Sequence, residues 1–432
     1  MKSFLHIFLI LVLGLCKVCS QDITLLNVNG SLPATYLNPG LKLDKKINIS
    51  IGGINVHFGT DGPTINQITS KNKAGQRYID VKKLITNPRT YQNIFFKNDI
   101  HTIDVSLNLG NIVLMAGHAF RSGGNLSYPG SLLNVATQGN SAFIGQTVNI
   151  APKIDINSYN EMYLGLQKSF DKLTIGAKGK LLYGTANLTT EKATIDFTTK
   201  DEYYQLEFKT DYLLRSSSLL RYTSLDSITA NYAGFSFDNL FYNNVGFALD
   251  VGASYNVNSN LTLSISAVDV GMINWNFFPR KYSSKGNFIF EGIDIIDYVV
   301  DSTSISIKDT LLNLFQVSQG LENYSTALKG TFSLGGSFKY NNQWTFNALL
   351  LYQNNFSSNR SSLSLSAIRN ISIFDIGLQY TLAKNDYASF GLFGKLRLGP
   401  ICAFLSSDNI IGLFRPFDAK SASLRLGAYF QY

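Results

Sequence analysis

The chain has 432 residues, of which 45% are hydrophobic and only 15% charged, against roughly 25% charged in an average soluble protein. That argues against a water-soluble enzyme with an ordinary charged surface, and beyond residue 20 no apolar run of about 20 residues marks a membrane helix. With 30 Phe and 23 Tyr, the chain is too aromatic for the usual disordered composition.

Lys2, the apolar stretch from Phe4 to Leu15 and the small-residue run Val18-Cys19-Ser20 before Gln21 read as a secretory signal peptide. Residues 1–20 are therefore set aside, with cleavage expected between Ser20 and Gln21. Two cysteines and two lysines leave with them, so Cys402 remains alone and the net charge falls from +8 to +6. A secreted chain that can form no internal disulfide is common among bacterial envelope proteins. The modest charge, with no basic run interleaved with aromatics, points away from nucleic acid.

Residues 21–45 form an N-terminal periplasmic segment and candidate small plug, and 46–432 the main domain. A strand over 47–58 changes phase at Gly52-Gly53, which predicts a bulge. From there apolar and polar residues alternate with period two, the pattern of a strand whose two faces meet different surroundings. Leu173, Ile175, Ala177, Leu181 and Tyr183 oppose Thr174, Lys178 and Lys180. Phe247, Leu249, Val251 and Ala253 oppose Asp250 and Ser254. Phe332, Leu334, Phe338 and Tyr340 share a face, and after the turn Asn341-Asn342-Gln343 so do Trp344, Phe346, Leu350 and Tyr352, with Leu349 and Leu351 as exceptions. The pattern continues over 374–382, where Asp375 lies on the polar face, and over 388–398, where Lys395 and Arg397 do. In the final strand Leu424, Leu426, Ala428, Phe430 and Tyr432 make one apolar face ending on an aromatic residue.

Strands of about ten residues suit a tilted bilayer-spanning strand. Trp344 and Tyr352 stand eight residues apart, about 20 Å vertically at about 3.3 Å per residue and a 40° tilt, close to the height of an aromatic girdle. Short connections alternate with long ones at 60–100, 122–157, 214–244 and 271–329. In transmembrane barrels the short turns are periplasmic and the long loops extracellular. The expectation is an all-β, outer-membrane antiparallel β-barrel of 14 to 16 strands with both termini in the periplasm. The count is sixteen if every bracketed strand crosses, fourteen if 193–199 and 203–213 form an extension above the membrane.

His57, His101 and His118 lack metal-ligand spacing, nothing resembles a nucleophile elbow, and neither a cofactor nor an enzymatic role is read from the residues. Lys178, Lys180, Asp250, Asp375, Lys395 and Arg397 lie on the polar strand faces and are candidate lumen-lining residues, where they either pair with one another or line a wet passage. Within 271–329, Asp309 can cap a short helix bearing Leu311, Leu312, Leu314 and Phe315. The alternating last strand resembles the signal read by the barrel-insertion machinery, with Phe430 and Tyr432 its aromatic end.

Several pieces resemble a Bacteroidota-type family of outer-membrane barrels of unknown function, related to the FadL-like transporters. They are Asn38-Pro39-Gly40 within the turn after the signal, Asp269-Val270-Gly271-Met272-Ile273-Asn274-Trp275, the GNFIFEGID run that contains Gly292 and Asp294, and Tyr159 through Tyr183. FadL-like members usually carry Ala where Gly40 stands. The resemblance implies fourteen strands, a hatch in the lumen and passage or uptake of small hydrophobic solutes. It equally admits a non-transporting scaffold or shuttle for a type IX-like secretion or surface-assembly system. The expected partners are outer-membrane lipid, the insertion machinery and a hydrophobic small molecule, for a chain expected to be monomeric in the bacterial outer membrane.

Overall fold

The computed structural model describes residues 23–28, 30–80, 83, 91–202, 205–218, 220–224, 227–230, 240–290, 315, 317–353, 360–383 and 386–432. The expected signal peptide with Ser20 and Gln21, the positions Gly292 and Asp294, and the helix expected after Asp309 lie outside the described residues.

The alternating segments form fourteen antiparallel strands that close on themselves. These barrel strands are β1 (Ile47–Thr60), β2 (Gln92–Asn108), β3 (Ile112–Tyr128), β4 (Lys153–Phe170), β5 (Leu173–Thr199), β6 (Val245–Asn256) and β7 (Leu261–Trp275). They continue as β8 (Thr331–Lys339), β9 (Trp344–Gln353), β10 (Arg360–Ile371), β11 (Phe374–Ala383), β12 (Asp386–Leu398), β13 (Ile401–Ser407) and β14 (Ser421–Gln431). Each pairs with the next, and β14 pairs with β1 in the register Phe430 to Ile49 and Leu426 to Ile54. The terminal Tyr432 exchanges backbone hydrogen bonds with Ile47, both 2.9 Å, so the last residue completes the ring. Closure leaves no open sheet edge, which hydrocarbon would penalise by several kcal/mol per unpaired group.

Six short turns and the joined termini lie at one end of the barrel, the long connections at the other. The larger expectation of sixteen strands is corrected to fourteen. β5 runs on for 27 residues, and Leu206–Ser218 pairs with its far half, Asp196 opposite Lys209. Arg280–Phe290 adds to that outer strand. The turn at 200–202 therefore belongs to an extension of the wall and not to the short-turn end. The same extension shortens the expected loops. β2 begins at Gln92, β3 continues to Tyr128, and 271–275 and 280–290 are strand. Between β3 and β4 the connection holds a helix, Gly130–Gln138, which strand periodicity did not reveal. Gly52 adopts φ 72° at the register shift between Ile51 and Ile54, so the bulge in β1 rests on a residue free to enter that region.

The period of two sorts the side chains. Outward positions such as Phe58, Leu164, Phe247, Ile265, Leu334 and Leu378 are 50–75% exposed, while inward positions are buried. Among the described residues no helix is long and apolar enough to cross a membrane.

Candidate functional site

The barrel's own N-terminal segment occupies the lumen. Two 3-10 turns, Ile23–Val28 and Leu32–Tyr36, lead into an irregular stretch that reaches β1 at Ile47. Pro33 in the first turn of the second segment suits a short helix start, where its missing N–H has no intrahelical partner to lose. Leu25, Leu26, Val28, Leu32, Leu37, Leu41 and Leu43 are all at most 3% exposed.

The stopper's two parts meet the wall differently. Leu25, Leu26, Val28 and Ala34, joined by Leu37 and Leu41, pack with Leu349 and Leu351 of β9, Phe393 of β12, Cys402 and Phe404 of β13 and Tyr429 of β14. Each buried leucine is worth roughly 1.5–3 kcal/mol relative to exposure. Residues 35–43 are in addition stitched to β4–β7 by hydrogen bonds. Gln167 Nε2 donates to the carbonyls of Pro39 and Leu41, both at 2.8 Å, and its Oε1 accepts from Leu43 N at 3.2 Å. Asn38 Nδ2 donates to the Ala253 and Ile265 carbonyls at 3.2 and 3.1 Å. Ser254 and Ser266 donate to the Gly40 and Leu37 carbonyls at 2.6 and 2.8 Å.

The Asn38-Pro39-Gly40 turn lies so close to the wall that side chains are excluded on both sides. A Cβ on Gly40 would stand 2.5 Å from the Gly252 carbonyl, one on Gly252 2.0 Å from Asn38 Oδ1, and one on Gly176 2.0 Å from the Pro39 carbonyl. Glycine at 40 is thus a packing requirement of this lumen.

Lys178 Nζ donates to the carbonyl and hydroxyl of Thr35, both at 3.0 Å, and sits against the rings of Tyr163 (4.5 Å) and Tyr36 (5.3 Å). Tyr36 in turn donates to Asp104 at 2.5 Å and stacks on His101 at 3.7 Å, and Tyr163 reaches the other oxygen of Asp104 at 2.7 Å.

Beyond the stopper, toward the long connections, the wall carries a buried ionic network. Lys180 lies 2.5 Å from Asp269, 2.8 Å from Asp250 and 3.5 Å from Glu161. Arg121 lies 2.8 Å from Glu161, 3.5 Å from Asp269 and 3.9 Å from Asp99, and Lys97 lies 3.1 Å from Asp99. Three cations are thus shared among four carboxylates, with Lys178 buried one position along the same face of β5, the close pairing that a desolvated interior requires. Asp269 enters the network through its backbone. It has φ 60° in a bulge where Leu249 pairs with Val270 but Val251 with Ala267. Its N–H donates to Asp250 at 2.7 Å. Its neighbours in the same motif are placed nearby: Gly271 pairs with Ala248, and Trp275, fully buried, donates to Thr326 at 2.8 Å.

The other sequence-chosen charges do not join this network. Asp375 of β11 forms ion pairs with Lys395 and Arg397 of β12, at 3.2 and 3.1 Å, close to the short-turn end. Phe430 is half-buried on the outward face of β14, and Tyr432 is exposed at its end. Sequence reasoning did not select Arg121, Glu161, Gln167 or Asp269 as lumen residues. Arg121 and Gln167 follow the alternation of their strands, so the signal was present. Among the described residues no group of three His, Cys, Asp or Glu is placed to hold a metal ion.

Above the network opens a cavity of about 100 Å³, lined among others by Phe95, Asp99, Arg121, Tyr159, Asp269 and Leu328. It can hold several waters or one small molecule.

Residues 39–408 match DUF5723, described as a family of unknown function. None of the curated proteins matches. Among solved structures, the chain is similar to the toluene transporter TbuX of Ralstonia pickettii, with a TM-score of 0.46 at 11% identity, covering 93% of each chain. It is also similar to the toluene transporter TodX of P. putida, with a TM-score of 0.44 at 10% identity over 93% of this chain and 94% of that one. For a FadL homologue of Pseudomonas aeruginosa the TM-score is 0.36 at 10% identity, over 92% and 94%.

Proposed function

We propose that this chain, which belongs to DUF5723, a family of unknown function, spans an outer membrane and passes small hydrophobic solutes through a lumen stoppered by its own N-terminal segment. The membrane placement is supported by the outward face. Side chains such as Ile51, Phe58, Leu164, Phe247 and Leu378 are 53–75% exposed all round the ring. Soluble monomers rarely leave apolar patches larger than a few hundred Å² in water. The same face supplies the lipid contact expected of a monomeric barrel, and the closing strand with Phe430 and Tyr432 supplies the end read during insertion.

The observation that carries passage is the stopper itself. Among the described residues it is held by hydrogen bonds, apolar contacts and ring contacts, with no ion pair to the wall, so it can leave without unravelling a strand. A solute would collect in the cavity between Phe95, Tyr159 and Leu328, pass the stopper as it yields, and leave at the short-turn, periplasmic end chemically unchanged. Deleting residues 23–43 and measuring liposome swelling tests this. The deletion should raise solute flux well above that of the full chain, and equal flux in a folded deletion would overturn the reading.

The wall extension favours a second reading. β5 rises 27 residues, and with Leu206–Ser218 and Arg280–Phe290 it encloses Phe197, Phe208, Phe288 and Phe315. Such a rigid projection suits a scaffold for a secretion or surface-assembly machine. A stoichiometric protein partner after mild extraction would favour the scaffold, and bound lipid or solute the passage.

A further inference from the structure

At the short-turn end, Lys45, Lys46, Lys168, Lys172, Lys339 and Arg369 are all exposed. None forms an ion pair with an acid among the described residues. At the opposite end Lys192, Lys200, Arg215, Lys281 and Lys329 pair with Asp211, Glu207, Glu191, Glu322 and Asp155 at 2.5–3.3 Å, while Lys71, Lys73, Lys209 and Lys285 are exposed there without an ion pair among the described residues. The exposed carboxylates near the six cations are Asp44, 3.5 Å from Lys42, and Asp171. Among the described residues the rim therefore carries more exposed cations than exposed carboxylates.

The rim also marks the lower edge of the apolar belt. Phe170, Tyr255, Tyr340, Phe374 and Tyr432 are 46–72% exposed there. Lys168 lies over the Phe170 ring at 5.2 Å, and Arg369 over the Trp344 ring at 5.5 Å. Both cations occupy outward positions, Lys168 in phase with Leu164 and Leu166, Arg369 in phase with Leu365. A long cationic side chain whose stem follows an apolar surface and whose head stands beside an aromatic ring is suited to the headgroup layer.

We propose that this rim is a collar for the headgroups of anionic phospholipid in the leaflet that meets the short turns. The inference rests on the membrane-spanning reading of the barrel. The cations are distributed around the ring, before β1, at β4 and its turn to β5, at the end of β8 and at the end of β10. A lipid annulus surrounds a barrel in this way, whereas an acidic protein would need them gathered on one side. Two of them point toward the belt itself, where only lipid lies. Anionic headgroups attract such cations additively and with strong salt dependence.

The test compares retention of phosphatidylglycerol and phosphatidylcholine with identical acyl chains by native mass spectrometry of the full chain, after flotation with vesicles has established insertion. The full chain should prefer phosphatidylglycerol by about fivefold or more. Added salt should abolish the preference, as should the combined variant K45Q/K46Q/K168Q/K172Q/K339Q/R369Q. The double variant K168Q/R369Q, less demanding of folding, should halve it or more. Equal retention of the two lipids by an inserted chain overturns the collar alone, as does an unchanged preference in the variants. Capture of an acidic polypeptide without lipid preference has the same consequence, and failure to insert overturns both the collar and the membrane reading.

Discussion

Between β2 and β7 the inner wall carries Lys97, Asp99, Arg121, Glu161, Lys178, Lys180, Asp250 and Asp269, whereas between β8 and β14 it is built mainly from Ser333, Ser362, Ser364, Thr381, Ser389 and Ser406 with Leu349, Leu351, Phe393 and Phe404 among them. The first wall holds residues 35–43 of the stopper by directional bonds from side chains to backbone carbonyls. The second holds Leu25, Leu26, Val28 and Ala34, and with them Leu37 and Leu41, mainly by apolar contact, while Leu32 packs on Val113 and Met115 of the first wall; the bonds on this side are few, such as Ser366 to Asn27 at 2.8 Å and Gln431 to Gly30 at 3.0 Å. A buried hydrogen bond contributes about 0.5–1.5 kcal/mol, more when one partner is charged, and a buried leucine about 1.5–3 kcal/mol. The two holds are therefore comparable in strength and differ in how they fail. A directional bond is lost when its partner shifts by about an ångström, but an apolar contact can slide or be replaced by another apolar molecule. Under the proposed passage, the serine wall is the side that yields and the ionic wall the side that anchors.

The largest effect expected from this contrast is at Lys180. Replacing it with Met leaves Glu161, Asp250 and Asp269 crowded together with only Arg121 to compensate them. Breaking a buried network in this way costs about 3–5 kcal/mol. On the opposite wall Ser364→Ala removes one hydroxyl bond, 2.5 Å to Thr381, and should cost no more than about 1.5 kcal/mol. Thermal midpoints from the heat-modifiable electrophoretic shift measure both, and similar losses would dissolve the distinction between the walls.

A smaller effect, aimed at the stopper alone, follows from Gly252. The added Cβ of Gly252→Ala would stand 2.0 Å from Asn38 Oδ1, and relieving such overpacking typically costs about 1–3 kcal/mol. The turn at Asn38 must give way, because β6 is bound on both sides. Flux should rise while the barrel's melting changes little. Cys402, under the apolar half of the stopper, decides how far the disturbance spreads. Maleimide labelling of its thiol should stay slow if the two halves are held independently, and fast labelling would mean that the stopper moves as one body.

Part of this contrast could be read from the amino acids. Period-two alternation sorted Lys178, Lys180 and Asp250 onto one face of their strands, because side-chain direction in a strand is local. Which charges meet is not local. Arg121, Glu161 and Lys180 come together through the register of three neighbouring strands, and Asp269 reaches them only through a left-handed bulge that inverts the phase of β7. The choice between sixteen and fourteen strands stayed open in the sequence for a related reason. Leu206–Ser218 alternates like a barrel strand, and only its pairing with the far half of β5 places it outside the ring. The serine wall did leave a trace: Leu349 and Leu351 broke the alternation of β9. Apolar residues on a polar face need something apolar to cover them, and the N-terminal leucines meet that need. Val113, Met115, Phe393 and Phe404 break their strands' pattern for the same purpose.

The smallest expected effect extends the comparison outward, to a pairing at the barrel's far end that water can reach. Hydrogen bonds from Lys281 at 2.7 Å and Arg215 at 3.1 Å hold the Glu322 carboxyl below its ordinary value. A carboxyl depressed on folding stabilises the folded form at pH above its unfolded value, about 4.3. That contribution is lost as pH falls through the lower folded value. Glu322 joins Arg280–Phe290 to Leu206–Ser218, so acidification should loosen the extension before the ring. Hydrogen exchange of backbone amides in 206–218 should quicken below about pH 4, with β9–β11 unchanged over the same range. In Glu322→Gln the change should already be present at neutral pH and no longer respond to acid. Because the group is exposed, salt should reproduce much of the effect. Insensitivity to salt would instead mean that burial, and not the exposed ion pairs, holds the extension.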